Sequence, residues 1–194
     1  MKENWLRTDE REDIIASLRM LSASCDQAKT DVGAWKWIVI GIHSALQSAI
    51  DFHLGFGNDL LVARQEDARA WLTAYENGTP HSDLMMDNFL SLYDKLKRHT
   101  ILGYQFAPRG QQGDSIKRLN RFRNEFTHFM PKGWSIELTG LPTISIDCLA
   151  IVEELDEHAL CARWETEEQR DRVRALLGGC RSKLEALRDE YNSG

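Results

Sequence analysis

Residues 123–128 of the 194-residue chain, with the sequence RNEFTH, combine side chains that could cleave a phosphodiester bond in RNA. An imidazole exchanges protons near neutral pH, so His128 could take the proton of a ribose 2′-hydroxyl or return one to the leaving oxygen. A guanidinium can bind two phosphate oxygens at once, so Arg123 could hold the scissile phosphate and stabilise the charge that grows in the transition state. Asn124 lies four residues before His128, on the same face of a helix, where it could orient the imidazole or the phosphate.

The residues before this stretch are basic, although the chain carries a formal net charge of -6. Four cations lie within seven residues: Lys117, Arg118, Arg121 and Arg123. One more cation lies on each side of them, Arg109 before and Lys132 after. One interpretation is a solvated helix face with acidic neighbours, and the other is an edge that binds phosphate. The second interpretation makes Lys117, Arg118 and Arg121 substrate-binding residues. It adds Trp134, which lies outside the predicted helices and beside the motif, as a fourth.

The spacing of the two candidate catalytic residues limits what a single helix can do. Arg123 and His128 are five residues apart, which separates them by about 140° around an ideal helix. One helix therefore does not aim both side chains at one phosphate. Either a second protomer or an unwound last turn before Pro131 has to complete the site, so a dimer is part of the hypothesis. The alternative is that His128 is a cation at a helix C-terminus, favoured by the helix dipole, and that Arg123 pairs with Glu125 or Asp147.

The hydrophobic spacing of the chain predicts about seven helices and no sheet, so we expect an all-α, up-and-down helical bundle. The first helix is expected to start at Thr8 or Asp9, where an acidic first turn complements the helix dipole. The motif helix is expected to run from about Asp114 to Phe129. A loop of about fifteen residues over 99–113 precedes it, which is longer than compact domains usually need.

Four further expectations concern single elements. Ser82 is the predicted cap of the fourth helix, whose stripe includes Met85. Trp71 lies on an apolar stripe and is expected in the core. Residues 178–179, a glycine pair, are expected to kink or divide the seventh helix. Residues 134–138 alternate in polarity, but so short a strand cannot support a sheet, and we expect an ordered loop.

Length and composition favour a single domain over residues 1–194, because 42% of the residues are apolar, enough for a packed core. The acidic first residues exclude the usual secretory signal, and the longest apolar patch, residues 37–42, is too short to cross a bilayer. We therefore expect a cytoplasmic protein without membrane contact. The cysteines include no Cys-x-x-Cys pair and are expected to be reduced and mostly buried: Cys25, Cys148, Cys161 and Cys180.

Two metal-binding interpretations are weak. Glu125 and His128 have the Glu-x-x-His spacing of di-iron bundles, but that architecture needs a second such motif, which the sequence lacks. His43 and His53 face similarly on one helix near Asp51, but no third ligand is in register. We expect His43 to be a hydrogen-bonded core residue and His53 a helix-end residue. The sequence thus predicts no metal and no cofactor.

Through Arg123, Asn124 and His128 the sequence resembles the HEPN superfamily (higher eukaryote and prokaryote nucleotide-binding domains). The signature of that superfamily is an arginine, about four to six residues and a histidine, usually with a polar residue after the arginine. A weaker likeness covers most of the chain, through HSALQ at 43–47, LYDKL at 92–96 and the basic helix before the motif. The resemblance implies an all-helical bundle with Arg123, Asn124 and His128 as its functional residues.

Many members of this superfamily are metal-independent ribonucleases that bring two motifs together in a dimer. The resemblance therefore implies a homodimer that cleaves RNA to 2′,3′-cyclic phosphate and 5′-hydroxyl ends, with an antitoxin-like protein as a candidate partner. The alternative from another class is a non-catalytic binding or regulatory module that holds a nucleotide, RNA or a partner protein. A purely structural interaction protein is the third option, and it would turn Arg123 and His128 away from any cleft.

Overall fold

A computed structural model of the chain describes residues 5–6, 8–128, 133–160 and 163–193. Seven α-helices account for most of these residues, together with a 3-10 turn at Val32–Ala34 and a π-helical turn at Asp156–Leu160. The α-helices are α1 (Glu10–Ala28), α2 (Trp35–Leu54), α3 (Gln65–Glu76), α4 (Phe89–Arg98), α5 (Gln112–His128), α6 (Leu141–Leu155) and α7 (Glu167–Ser193). The described residues form no strand beyond two isolated bridges. The predicted all-α helical bundle is confirmed.

The central helix of the bundle is α2, which packs against α1, α4, α5 and α6. Its apolar positions recur every three or four residues, and Ile38, Ile42, Leu46 and Ile50 are all fully buried. Gly41 lets α1 come close, because a Cβ at this position would lie 3.3 Å from the backbone of α1. A side chain at position 41 would require the backbone of α1 to shift by a few tenths of an ångström.

Local capping chemistry determines where several helices start. Asp9 accepts a hydrogen bond from the backbone nitrogen of Glu12 at 2.9 Å, so α1 begins as predicted. Asp31 likewise accepts from the backbone nitrogen of Gly33, but it caps the 3-10 turn, and α2 starts only at Trp35. The motif helix α5 begins at Gln112, close to the predicted start, after the long loop that follows α4.

The prediction for the start of the fourth helix was wrong. Its cap is Asn88, whose side chain accepts from the backbone nitrogen of Ser91, so neither Ser82 nor Met85 belongs to α4. The backbone around Met85 pairs with a distant segment instead. The backbone nitrogen of Arg64 donates to the Met85 carbonyl at 2.8 Å. A backbone group that is paired across to another segment cannot also form the hydrogen bonds of a helix.

Among the described helices, α3 is the one that approaches no other helix closely. None of its residues is buried, so the expectation that Trp71 lies in the core was wrong. Trp71 stacks instead on Tyr75 one turn later, at 5.4 Å between ring centroids. The predicted apolar stripe is present on α3, but no other described helix packs against it.

The last helix, α7, runs without a break through the glycine pair at 178–179, contrary to the expectation that the pair divides it. Leu177 and Cys180 on either side are both buried, so tertiary packing holds the helix through two residues that favour it little. The loop at 134–138 is not a strand, as predicted. No described helix combines the length and the apolar run that a bilayer crossing requires.

Candidate functional site

The candidate catalytic residues lie on the last two turns of α5. This helix buries Ile116, Leu119 and Phe122 and packs against α2, α4 and α6. A hydrogen bond from Ser115 to the carboxylate of Asp147 at 2.5 Å ties it to α6. The helix continues to His128, so no unwound turn separates Arg123 from His128, and the rest of the last turn before Pro131 lies outside the described residues.

Arg123 is half-buried, and its guanidinium is held by its neighbour. The Nη1 atom donates a hydrogen bond to the Asn124 side-chain oxygen at 3.0 Å. No ion pair joins Arg123 to Asp147 among the described side chains, and the Asp147 carboxylate accepts a hydrogen bond from Ser115. Arg123 is therefore ordered by a neutral amide, and its positive charge is not cancelled by that contact.

Close to Arg123 lies a polar pair made of the buried His43 and the half-buried Asn120. His43 of α2 is 3% exposed, and its Nε2 atom lies 3.3 Å from the Asn120 side-chain oxygen on α5. The imidazole ring packs on Phe89 of α4 at 4.1 Å between centroids. The expectation that His43 is a hydrogen-bonded core residue is confirmed.

The environment of His43 keeps its ring neutral. Burial lowers the pKa of His43 to about 4, the hydrogen bond to Asn120 opposes this, and the positive charge of Arg123 lowers the pKa further. A neutral ring with a hydrogen on Nε2 donates to the Asn120 oxygen, which assigns the tautomer. His43 and Asn120 therefore form a neutral polar layer beneath the guanidinium.

His128 ends α5 and is exposed. Its position five residues after Arg123 on a continuous helix turns it about 140° away from the guanidinium. The side-chain oxygen of Asn124 is taken by Arg123. Within one chain, the structure thus brings Arg123 and Asn124 together and leaves His128 on a different side of the helix.

The three predicted basic contact residues differ in their surroundings. Lys117 is exposed and forms an ion pair with Asp114, one turn earlier, at 3.5 Å. Arg118 and Arg121 are exposed and have no acidic partner among the described residues. The guanidinium of Arg121 lies 5.1 Å from the ring centroid of Phe122. The exposure of all three side chains fits both interpretations of the basic helix, and Arg118 and Arg121 keep uncompensated charge.

The two flanking cations and the tryptophan complete the surroundings. Arg109, in the loop before α5, lies 3.4 Å from the carboxylate of Glu154 on α6, and Lys132 lies outside the described residues. Trp134 is half-buried, and its ring contacts Phe126 edge-on at 5.0 Å between centroids. One part of the indole is thus used for packing beside α5, and the remainder faces solvent.

The metal interpretations find no support in the geometry. No group of three histidine, cysteine or acidic side chains is placed to hold a metal ion in the described part of the chain. His43 faces Asn120 on α5, whereas the buried His53 contacts the ring of Tyr104 at 6.0 Å. The two histidines therefore do not share a site.

Sequence reasoning missed Asn120 as a neighbour of the candidate site. The signal that could have found it is its position, one turn before Arg123 and Asn124, on the edge of the apolar stripe of α5. Comparisons of the chain with protein-family models, with curated proteins and with solved structures find no match.

Proposed function

We propose that this chain is a metal-independent endoribonuclease of the HEPN type, with Arg123, Asn124 and His128 as its catalytic residues. The observation that carries the proposal is the hydrogen bond that holds the Arg123 guanidinium on Asn124, on the same two helical turns as an exposed His128. A guanidinium ordered before the substrate arrives loses less entropy when it binds a phosphate. An acid-base group is available on the same helix end.

The proposed reaction needs only groups of the protein and the RNA. The neutral imidazole of His128 takes the proton of the 2′-hydroxyl, and the 2′-oxygen forms a bond to phosphorus. The bond from phosphorus to the 5′-oxygen breaks, and the imidazolium of the same His128 returns its proton to that oxygen. Arg123 binds the non-bridging oxygens as their charge grows. The products are a 2′,3′-cyclic phosphate and a 5′-hydroxyl.

A homodimer is part of this proposal because one continuous helix directs Arg123 and His128 about 140° apart. Two copies of α5 that meet across a two-fold axis would place the histidine of one beside the arginine of the other. The uncompensated charges of Arg118 and Arg121 would then line the approach to the phosphate, with Lys117 and Trp134 at its edges.

The test is cleavage of a labelled RNA by the purified chain in the presence of excess EDTA. We expect cutting that persists with the chelator and ends that carry a cyclic phosphate. His128→Ala should abolish cutting while the circular dichroism spectrum and the thermal midpoint stay unchanged, because the side chain is exposed. Arg172→Ala, at an exposed position on α7, is the control for a generic loss of charge. Cutting that survives His128→Ala at the wild-type rate contradicts the proposal.

One observation favours a second function, a non-catalytic module that binds RNA or a nucleotide. In a single chain Asn124 is engaged by Arg123, and His128 is directed elsewhere. Such a module would bind RNA through Arg123, and binding would survive His128→Ala. An electrophoretic shift without any cleavage by the wild-type chain would identify it.

We place either function in the cytoplasm, and we propose that an antitoxin-like protein with an acidic surface covers the cations of α5. Arg118 and Arg121 would be its contacts, since neither has an acidic partner among the described residues. Such a partner should compete with RNA for α5. Competition that is unchanged in Arg121→Gln would contradict this part of the proposal.

A further inference from the structure

A second region of the molecule has the features of a ligand site, and it lies away from the α5 motif. A cleft of about 490 Å³ separates α3 from α4. Arg69 and Leu72 line it from α3, and Ser91, Lys95 and Arg98 line it from α4. We call this space the α3–α4 cleft.

The backbone closes one end of the α3–α4 cleft. Ala63 and Met86 form an isolated antiparallel bridge, with hydrogen bonds from Arg64 to Met85 and from Asp87 to Val62. The ammonium of Lys95 reinforces the junction by donating to the Ala63 carbonyl at 2.6 Å. The helix α3 is therefore attached to the bundle at its first turn and extends from there beside α4 without another helix behind it.

The balance of charges in the α3–α4 cleft is positive, in a protein whose net charge is -6. Both acids that line it are already paired with lysines. Asp87 lies 2.8 Å from Lys95, and Asp94 lies 2.6 Å from Lys97. The exposed guanidiniums of Arg69 and Arg98 have no acidic partner among the described residues. Two full positive charges are thus available to an anionic ligand.

The helix α3 also carries an aromatic stack of the half-buried Trp71 and the exposed Tyr75, which lies outside the lining of the cleft. The rings of Trp71 and Tyr75 are nearly parallel, 9° apart at 5.4 Å, and His81 contacts the indole at 4.8 Å. Tyr75 is 69% exposed, so the outer face of its ring is free to extend the stack. Flat aromatic faces next to free guanidiniums are the combination by which proteins hold single-stranded nucleic acid.

We propose that the α3–α4 cleft binds single-stranded nucleic acid, with Arg69 and Arg98 on successive phosphates and a base stacked on Tyr75. An acidic peptide would use the same arginines, but it would leave the exposed ring stack without a function. A base satisfies both features at once. This site goes beyond the chemistry proposed for α5, since it needs neither His128 nor a second protomer.

The experiment is fluorescence anisotropy of a labelled oligothymidine with the full chain. This probe lacks the 2′-hydroxyl, so the proposed ribonuclease chemistry cannot consume it. We expect Tyr75→Ala to weaken binding about tenfold because the base no longer stacks on the ring. The double variant Arg69→Ala/Arg98→Ala should weaken binding and reduce the salt dependence, by roughly 0.7 in the logarithmic slope for each phosphate that is no longer neutralised.

Two matched controls make the result specific to this surface. Trp37→Ala removes a 46% exposed aromatic ring from α2, and Arg172→Ala removes an exposed guanidinium from α7. Both should bind as the wild type does. Since none of the cleft variants or these controls changes a residue of α5, a failure of the α5 proposal leaves this test unaffected.

Three outcomes overturn the proposal. The wild-type chain fails to bind oligothymidine, or the cleft variants bind as tightly as the controls. In the third outcome, a polyglutamate peptide binds as tightly as oligothymidine and Tyr75→Ala changes neither affinity, which identifies an acidic protein as the partner instead.

Discussion

The imidazole of His43 donates to the side-chain oxygen of Asn120 across a Nε2–Oδ1 distance of 3.3 Å, which joins α2 to α5 one turn before Arg123. The pair is polar and lies against the ring of Phe89. Because the ring must stay neutral to remain buried, the packing of the helix that carries the motif depends on pH.

The stability of the chain should therefore fall in acid. His43 has a pKa of about 4 in the folded chain, against an ordinary value of 6.5. The unfolded chain binds more protons, so the stabilisation is fully present above about pH 6.5 and disappears as the pH falls through 4. Urea unfolding should show that the free energy of unfolding decreases by roughly 3 kcal/mol over that pH range because of His43.

Between pH 4.5 and 6, the slope of the unfolding free energy against pH reports how many protons bind on unfolding. His43→Gln should lower that number by about one. His128→Gln is the matched control, because it removes an exposed imidazole from the same part of the molecule. An equal effect of the two substitutions would show that burial of His43 is not the cause. His53, whose pKa burial also lowers to about 4, should remain as a second contributor in both variants.

Asp51 on α2 should have the opposite pH dependence. Burial, followed by the nearby charge of Glu10, raises its pKa to about 7 from 3.8. Proton binding then favours the folded state, so the stabilisation is fully present below about pH 4 and disappears as the pH rises through 7. Asp51→Asn should stabilise the chain by roughly 2 kcal/mol at pH 8 and by much less at pH 5.

Thermal unfolding at the two pH values measures this difference. Asp83→Asn, in an exposed segment, is the control and should change the midpoint at neither pH. A destabilisation by Asp51→Asn at pH 8 would mean that the charged carboxylate makes a favourable contact in the folded chain.

Local stability should differ sharply between α2 and α3. No residue of α3 is buried and no other described helix approaches it closely, whereas most of α2 is buried. Amide hydrogens of Ala68 to Tyr75 should exchange at least about a hundred times faster than those of Ile38 to Ile50. Hydrogen exchange followed by mass spectrometry measures both segments in one experiment. Equal protection of the two helices would contradict the view of α3 as an unsupported arm.

Features set by neighbouring residues could be predicted from the sequence. The Asp9 cap, the apolar stripe of α5 and the angular separation of Arg123 from His128 all follow from local spacing. The contact of Arg123 with the adjacent Asn124 was not predicted, because Asn124 was expected to orient the imidazole or the phosphate.

Features set by distant segments could not be predicted. Met85 pairs with Arg64 through a backbone hydrogen bond that local propensity does not encode, and the cap at Ser82 was wrong for that reason. Trp71 lies on an apolar stripe, but whether a stripe is buried depends on a second helix being there to cover it. The pairing of His43 with Asn120 joins residues 77 positions apart, and only the packing of α2 on α5 brings them together.

The proposed roles of the α5 cations can be separated by comparing neighbours. Arg121 has no acidic partner among the described residues, whereas Lys117 lies 3.5 Å from Asp114. If RNA approaches along α5, Arg121→Gln should weaken RNA binding several-fold and reduce its salt dependence, and Lys117→Gln should have a smaller effect. Anisotropy titrations at two salt concentrations measure both. Identical decreases in affinity would indicate a diffuse attraction without a defined path.

Mixing two variants that should be inactive tests whether the proposed ribonuclease site is shared between protomers. Arg123→Ala and His128→Ala should each abolish cutting. If each site takes its arginine from one protomer and its histidine from the other, a hybrid dimer keeps one intact site. Random mixing should then restore about one quarter of the wild-type rate. The geometry favours this outcome, because α5 is helical to His128 and directs the two side chains apart. Mixing Arg123→Ala with Arg123→Lys is the control and should restore nothing. A mixture of the first two variants that stays inactive, although hybrid dimers are detected by native mass spectrometry, would reject the shared site and leave the non-catalytic binding module as the better account.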